Sequence, residues 1–320
     1  MSAARVLVTG ATGVVGRLAI PKLLARGYQV TAVGRTAEKR AELTMLGADA
    51  VALDLFDAEA ARRAMAGHDA VINLATHIPA SLFQTLLPWA WRENDRVRRE
   101  GSASLTRAAL AAGVSRFIQE SFAPVYEEGG VQWIDEGWPQ RPAPSNRTVL
   151  DAEASAARFT EAGGIGIVLR FAGFYGPDAF LRDIVGVVKR GWGPLPGPAK
   201  AYWSSVAHED AATVVVAALE VPAGVYNVCD DEPLTRREFA DVLADAAGAN
   251  RPRLLPRWVG AVGGASMELL SRSQRMTNAK LKRASGWTPR WRSAREGLRA
   301  AVRTVGGAST VNDEYQGVSA

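Results

Sequence analysis

With 320 residues, 48% of them hydrophobic and 22% charged, the chain can bury a sizeable core and lacks the low-hydropathy composition of a disordered protein. Its formal charge of +5 comes from scattered arginines rather than Lys/Arg blocks, which excludes a nucleic-acid track and suits a small anionic ligand. A single cysteine, Cys229, excludes an internal disulfide, points to a reducing compartment and, inside an apolar run, reads as a small buried residue.

A strand follows Met1 almost at once, leaving no space for a signal peptide. The longest apolar stretch, 211–219, is less than half of the roughly 20 residues a bilayer crossing needs. A cytoplasmic protein without a membrane partner is therefore expected. From residue 5 to about 170, short Val/Ile/Leu runs alternate with amphipathic stretches, the pattern of parallel strands joined by crossover helices. Strands are predicted at 6–9, 29–33, 50–53, 70–74, 116–121 and 165–170. Helices are predicted near 14–26, 36–46, 57–66, 92–112 and 147–162, stopped by Gly27, Gly47, Gly67, Gly113 and Gly163.

After Arg170 the alternation gives way to a loop-rich stretch with Gly191, Gly193, Pro194, Pro196, Gly197 and Pro198, which marks a second lobe. Helices near 208–219, 235–247, 257–270 and 293–303 belong to that lobe or pack beside it, while a strand at 225–229 returns to the sheet. The expected organisation is an α/β doubly wound parallel sheet at 1–170, a smaller C-terminal substrate lobe at 171–304 and a disordered tail at 305–320.

The first strand runs into Thr9-Gly10-Ala11-Thr12-Gly13-Val14-Val15-Gly16, three glycines spaced by three at a strand-to-helix junction. Gly10 permits the tight turn, Gly13 lets backbone approach a pyrophosphate and Gly16 allows close helix packing. The opening of the helix, Thr12 to Val15, offers free N–H groups to the anion. The second strand ends in Val33-Gly34-Arg35, where an NAD site usually places an acidic residue on the ribose hydroxyls. Arg35, with Lys39 and Arg40 one turn on, suits a 2′-phosphate instead, so NADP is expected ahead of NAD. Asp54 and Leu55 should lie over the adenine, and Leu74, Ala75 and Thr76 beneath the ribose and nicotinamide.

These residues resemble the extended short-chain dehydrogenase/reductase superfamily, the Rossmann-type group that includes NAD(P)-dependent epimerases and dehydratases. Besides the glycine motif, the echoes are Leu53-Asp54-Leu55, Ile72-Asn73-Leu74-Ala75, Phe174-Tyr175-Gly176-Pro177, Val206-Ala207-His208-Glu209-Asp210, Tyr226-Asn227-Val228 and Gly286-Trp287-Thr288-Pro289. The resemblance implies the fold and the nicotinamide cofactor. It does not carry the superfamily's chemistry, because the Tyr and Lys of its Tyr-x-x-x-Lys pair fall on Ser145 and Val149, and its Ser/Thr falls on Phe122. No tyrosine lies between Tyr126 and Tyr175 and no lysine between Lys39 and Lys189, so no shift of register restores the pair.

Replacement proton donors are therefore sought near the fifth-strand crevice. Tyr126 stands just beyond that strand, Ser121 closes it, and His77 follows the fourth strand on the side where open sheets bind ligands. The other histidines read as packing or surface residues, His208 at a helix start and His68 at a strand entrance, and no pair has metal-ligand spacing. Phe83, Trp89, Trp91, Trp133, Trp138, Phe174 and Trp203 fall in segments that border the crevice, mostly as core. The function this implies is an NADP(H)-dependent oxidoreductase acting on a small carbonyl or alkene substrate. A non-redox isomerase, cyclase or dehydratase, or a non-catalytic NADP(H)-sensing protein, also fits the sequence. A homodimer paired through the helix near 92–112 is compatible with that helix's length.

Overall fold

The computed structural model describes residues 4–79, 84–255 and 264–316. Phe83, the first part of the helix expected near 257–270 and the last four residues of the chain lie outside them. In chain order the first half comprises β1 (Arg5–Thr9), α1 (Val14–Ala25), β2 (Gln29–Val33), α2 (Ala37–Met45), β3 (Asp49–Val51), α3 (Ala58–Met65), β4 (Ala70–Asn73), α4 (92–111), β5 (Arg116–Phe122), α5 (Val149–Glu161) and β6 (Ile165–Phe171). The second half adds α6 (Ala179–Lys189), α7 (His208–Ala217), β7 (Gly224–Val228), α8 (Arg236–Ala246), α9 (Gly264–Ser271), α10 (Ala279–Ser285) and α11 (Ala294–Gln316).

The seven strands form one parallel sheet in the order β7-β6-β5-β4-β1-β2-β3. Parallel sheets are covered on both faces, so their strands bury successive residues to opposite sides. Val6, Val8, Ile72, Ile118, Ile167 and Leu169 pack with α1 and α7 on one face. Leu7, Val71, Phe117 and Val168 pack with α3, α4 and α5 on the other. The strand order reverses between β1 and β4, and the crevice at such a reversal, at the carboxyl ends of the strands, is where open α/β sheets take their ligands.

The second lobe grows from the ends of β6 and β7. Gly173–Tyr175 pairs with Ser205–Ala207, and Tyr202–Trp203 pairs with Leu234–Thr235, over a small core of Tyr175, Leu181, Val188, Trp203, Phe239, Leu243, Leu298 and Val302. A third two-residue pairing joins Trp133–Ile134 to Arg275–Met276. Helix α6, absent from the sequence reading, starts where the Asp178 side chain accepts from the Leu181 amide at 2.8 Å. The expected tail is also corrected, because α11 continues through residue 305 to Gln316. Once Leu298 and Val302 have anchored its apolar face, extending the helix adds a hydrogen bond for each residue fixed. Among the described residues no helix is long and apolar enough to cross a membrane.

His68 is not a surface residue. The turn at Gly67, with φ of 72°, folds its ring beneath the sheet, where Nε2 lies 2.8 Å from Thr31 Oγ1. Burial, with a smaller contribution from the Arg5 charge, lowers its pKa below the usual 6.5. The unfolded ring binds its proton more tightly than the folded one, so His68 stabilises the fold above that pH and the contribution is lost as pH falls. The fall in Tm between about pH 8 and about pH 5.5 should accordingly be smaller in His68→Asn than in wild type. An equal fall would place that titration elsewhere.

Candidate functional site

Backbone crowding explains each glycine of the β1–α1 turn. Gly10 has φ of 65°, and a Cβ there would overlap the Leu74 carbonyl and lie 2.7 Å from the Ala75 nitrogen. A Cβ on Gly16 would come within 2.5 Å of the Gly10 oxygen and 2.7 Å of Ala11 Cα. Gly13 differs, since a Cβ would meet only the Gly10 oxygen, at 3.1 Å, and its outer side is open. It is the N-cap of α1, without a side-chain cap and without an acidic residue in the first turn. The first amides of the helix thus keep their positive end toward the crevice. Thr12 is half-buried beside them, and Val14 is exposed.

At the end of β2 the Arg35 side chain is exposed, and among the described residues it makes no hydrogen bond or ion pair. Its basic neighbours are engaged. Lys39 bonds Glu42 at 2.9 Å, the same carboxylate bonds Arg17, and Arg40 donates to the carbonyls of Gly34 and Arg35. Arg35 is therefore the free cation of the three. Asp54 is exposed past β3 and accepts from the Phe56 amide at 3.0 Å, with Leu55 half-buried beside it. Leu74 and Ala75 are buried and Thr76 is half-buried past β4. The residues expected to hold the cofactor thus gather at the carboxyl ends of β1 to β4.

The proton donors expected from the sequence separate. Ser121 is fully buried, and its hydroxyl donates to Glu153 Oε1 at 2.5 Å. Glu153 holds Arg170 by two bonds, from Nε at 2.8 Å and from Nη2 at 2.6 Å. Arg170 Nη1 donates to the Tyr126 hydroxyl at 2.8 Å, which in turn donates to Asn227 Oδ1 at 2.6 Å. Tyr126 has no exposed surface, and burial pushes its hydroxyl up to about 12 against the pull of the Arg170 charge. Tyr126 and Ser121 are thereby corrected from proton donors to members of a closed internal network. His77 alone of the three is exposed, held past β4 by its amide bond to Asn94 Oδ1 at 2.9 Å. His208 packs its ring against Phe174, with 5.8 Å between centroids, as expected of a helix-start residue. Val149 and Phe122, at the positions of the missing lysine and Ser/Thr, are buried and half-buried respectively.

A second cluster was not visible in the sequence. Residues 97–101 form a π turn inside α4 that carries Arg98 inward. There its guanidinium meets Glu120, the penultimate-but-one residue of β5, at 3.0 Å, with both side chains buried. Among the described residues, Asn94 Nδ2, Arg98 Nε and Glu120 Oε2 are buried without a hydrogen-bond partner, two donors and an acceptor beside the ends of β4 and β5. The signal available was the spacing of Asn94 and Arg98 by four, which puts both on one helix face.

A glycine turn at the strand-order reversal, an open helix N-terminus and a free cation at the end of β2 define a dinucleotide-binding α/β protein. Residues 10–176 match the model of the NAD(P)H-binding family, and the chain belongs to it, as an atypical short-chain dehydrogenase/reductase without the Tyr/Lys pair. It is 33% identical over 306 residues to 3-diazoavenalumate denitrifying reductase of a Streptomyces species, covering 92% of this chain and 99% of the relative. The 4-hydroxy-2-methyl-3-oxo-4-farnesyl-3,4-dihydroquinoline-1-oxide ketoreductase of Stigmatella aurantiaca is 27% identical, covering 76% and 73%. Among solved structures, UDP-glucose 4-epimerase of Thermotoga maritima superposes with a TM-score of 0.76 at 23% identity, over 95% of this chain and 99% of its own. The human epimerase family protein SDR39U1 with NADPH gives 0.76 at 23% identity, over 93% and 99%. Those two likenesses establish the fold, and the family establishes a nicotinamide dinucleotide as the cofactor class.

The open side of Gly13 separates binding from folding. Gly13→Val should leave the unfolding midpoint close to wild type and abolish dinucleotide binding in calorimetry, whereas Gly16→Ala should destabilise by roughly 1–3 kcal/mol through backbone collision. Unchanged affinity in Gly13→Val would remove the turn from the site.

Proposed function

We propose that the protein is an NADP(H)-dependent reductase of a small, partly apolar substrate, a carbonyl, alkene or comparable electrophile, working without the Tyr/Lys acid of its superfamily. The observation that carries the cofactor preference is the free guanidinium of Arg35 at the end of β2. It accepts nothing from a ribose hydroxyl but donates readily to a 2′-phosphate. Gly10, Thr12, Gly13, Val14, Val15 and Gly16 would cradle the pyrophosphate, Asp54 and Leu55 the adenine side, and Leu74, Ala75 and Thr76 the nicotinamide side. When bound, NADPH supplies the hydride.

Two of the chain's similar proteins are named as reductases, which supports reduction over epimerisation. A site without the Tyr/Lys pair favours an acceptor that is already electrophilic, and the diazo substrate in the name of the Streptomyces relative is of that kind. Asn94 and Arg98 would present donors to a polar group of the substrate, Glu120 would fix Arg98, and exposed His77 would deliver a proton where the product needs one. Loss of NADPH absorbance with an arenediazonium salt, an aryl aldehyde and an enone tests the reaction. Oxidation by none of a broad panel, with NADPH binding intact, would overturn it.

Arg35→Ala should weaken NADPH by about tenfold or more, since a hydrogen bond to a charged group contributes about 1.5–3 kcal/mol, and should leave NADH nearly unchanged. Equal wild-type affinity for the two cofactors would refute the assignment. For the proton, His77→Asn should lower kcat by about tenfold or more, within the range general acids contribute, while Tyr126→Phe should act mainly on stability. The reverse pattern would return the chemistry to Tyr126.

A further inference from the structure

Strand β7 is an edge of the sheet, so the backbone groups on its outer side have no strand to pair with. Side chains pair with them instead. Lys280 Nζ donates to the Val225 carbonyl at 2.8 Å, and the Asn227 amide donates to Glu136 Oε1 at 2.8 Å. That carbonyl and that amide are the two groups which one residue of a further parallel strand would satisfy, so an ammonium and a carboxylate stand in for its N–H and C=O.

Beside this capped edge lies a cavity of about 330 Å³. One wall is the turn after Trp133–Ile134, with Asp135, Glu136 and Gly137, and the other is α10, with Ala279, Lys280 and Arg283. Lys280 and Arg283, three apart on the helix, share a face. The cavity is thus bounded by two acids on one side and two bases on the other.

These charges do not neutralise one another. Among the described residues no ion pair joins the two walls, although the next base along α10, Lys282, closes on Asp231 at 2.9 Å. The bonds to β7 account for the gap, because they hold Lys280 and Glu136 to separate backbone groups, and the Lys280 ammonium is also drawn to the Tyr226 ring, 4.9 Å from its centre. Capacity for a ligand remains on both sides. Arg283 is exposed and makes no hydrogen bond or ion pair among the described residues. Asp135 uses one oxygen on the Gly137 amide, at 3.0 Å, and Glu136 one oxygen on Asn227, so each keeps a second oxygen for another donor.

We propose that this cavity binds a free α-amino acid, its carboxylate on Arg283 and Lys280 and its ammonium on Asp135 and Glu136. A simple ion would be attracted by one wall and repelled by the other, whereas a zwitterion satisfies both. The volume lies near the lower end of small-molecule pockets, which run from roughly 300 to 1,000 Å³, and so suits one amino acid rather than a peptide. Since β7 is three strands from β4, the site is separate from the cofactor crevice, and the assignment stands independently of the reductase reading.

The test is calorimetry on the full chain with the common L-amino acids, and with acetate and methylammonium as probes that carry one charge each. At least one amino acid should bind tenfold or more tightly than either ion. Arg283→Gln and Asp135→Asn should each weaken that amino acid at least tenfold and leave the unfolding midpoint and NADPH binding as in wild type, because both side chains are exposed and lie away from the crevice. No binding by any amino acid, acetate or methylammonium bound as tightly as the best of them, or affinity undiminished in both variants would overturn the site. A dimer in sedimentation that both substitutions dissociate, with no amino acid bound, would overturn it in favour of a second copy on this face. Should either variant fail to fold, the wild-type titrations with the amino acids and the two ions still decide.

Discussion

The crevice exists because backbone meets backbone at Gly10. That residue turns the chain out of β1 with φ of 65°, and the space a side chain would need is filled by the carbonyl of Leu74 and the amide of Ala75. The contact ties the end of β1 to the end of β4, the pair of strands between which the order of the sheet reverses. Gly16 repeats the constraint one helical turn later, against Gly10 and Ala11. With those two glycines fixed by packing, Gly13 is left facing outward, and the helix N-terminus is presented rather than covered. Fold and ligand site therefore make demands on different glycines of one motif.

On the other side of β4, Glu153 and Arg170 form a buried ion pair. Glu153 and Arg170 connect α5 to β6, Ser121 adds β5, and Tyr126 with Asn227 adds β7. Removing one member of such a pair costs about 3–5 kcal/mol, because the other charge stays buried without a partner. The network is consequently a structural joint across three strands. A tyrosine locked between an arginine and an asparagine, with its hydroxyl raised to about 12, is a poor acid at neutral pH. Among the described residues, polar atoms without partners occur one strand over, where α4 meets the ends of β4 and β5.

The sheet was legible because parallel strands are buried on both faces and so read as unbroken apolar runs, each followed by a glycine-stopped helix. The glycine motif was legible for a similar reason, since its backbone demands are local to one turn. Destinations of side chains were not. Ser121 and Glu153 are 32 residues apart and Tyr126 and Asn227 are 101 apart, and nothing in the short spacing around either tyrosine or serine records its partner. The π turn that swings Arg98 inward leaves no mark on the run Arg96-Val97-Arg98-Arg99-Glu100, which reads as a solvated face. Two-residue strands such as Tyr202–Trp203 are too short to show a period at all. His68 was misplaced because a charged neighbour, Asp69, suggested solvent, whereas Asp69 is fixed by the Arg5 amide at 2.7 Å and the ring turns under Thr31.

The excess of positive charge in the composition acquires a structural meaning from which arginines have partners. Many are neutralised locally, as in the pairs with Glu59, Asp151, Asp241 and Asp245. Arg35 is free and exposed, so solvation compensates it and a cation there costs the fold almost nothing. Arg236 is buried, with Nη2 on the Arg272 carbonyl and no carboxylate partner among the described residues. An apolar side chain of similar length would fit the second lobe at lower cost to the apo fold. Arg35 and Arg236 thus differ in kind: solvent compensates the first, while the second carries its desolvation cost inside the second lobe.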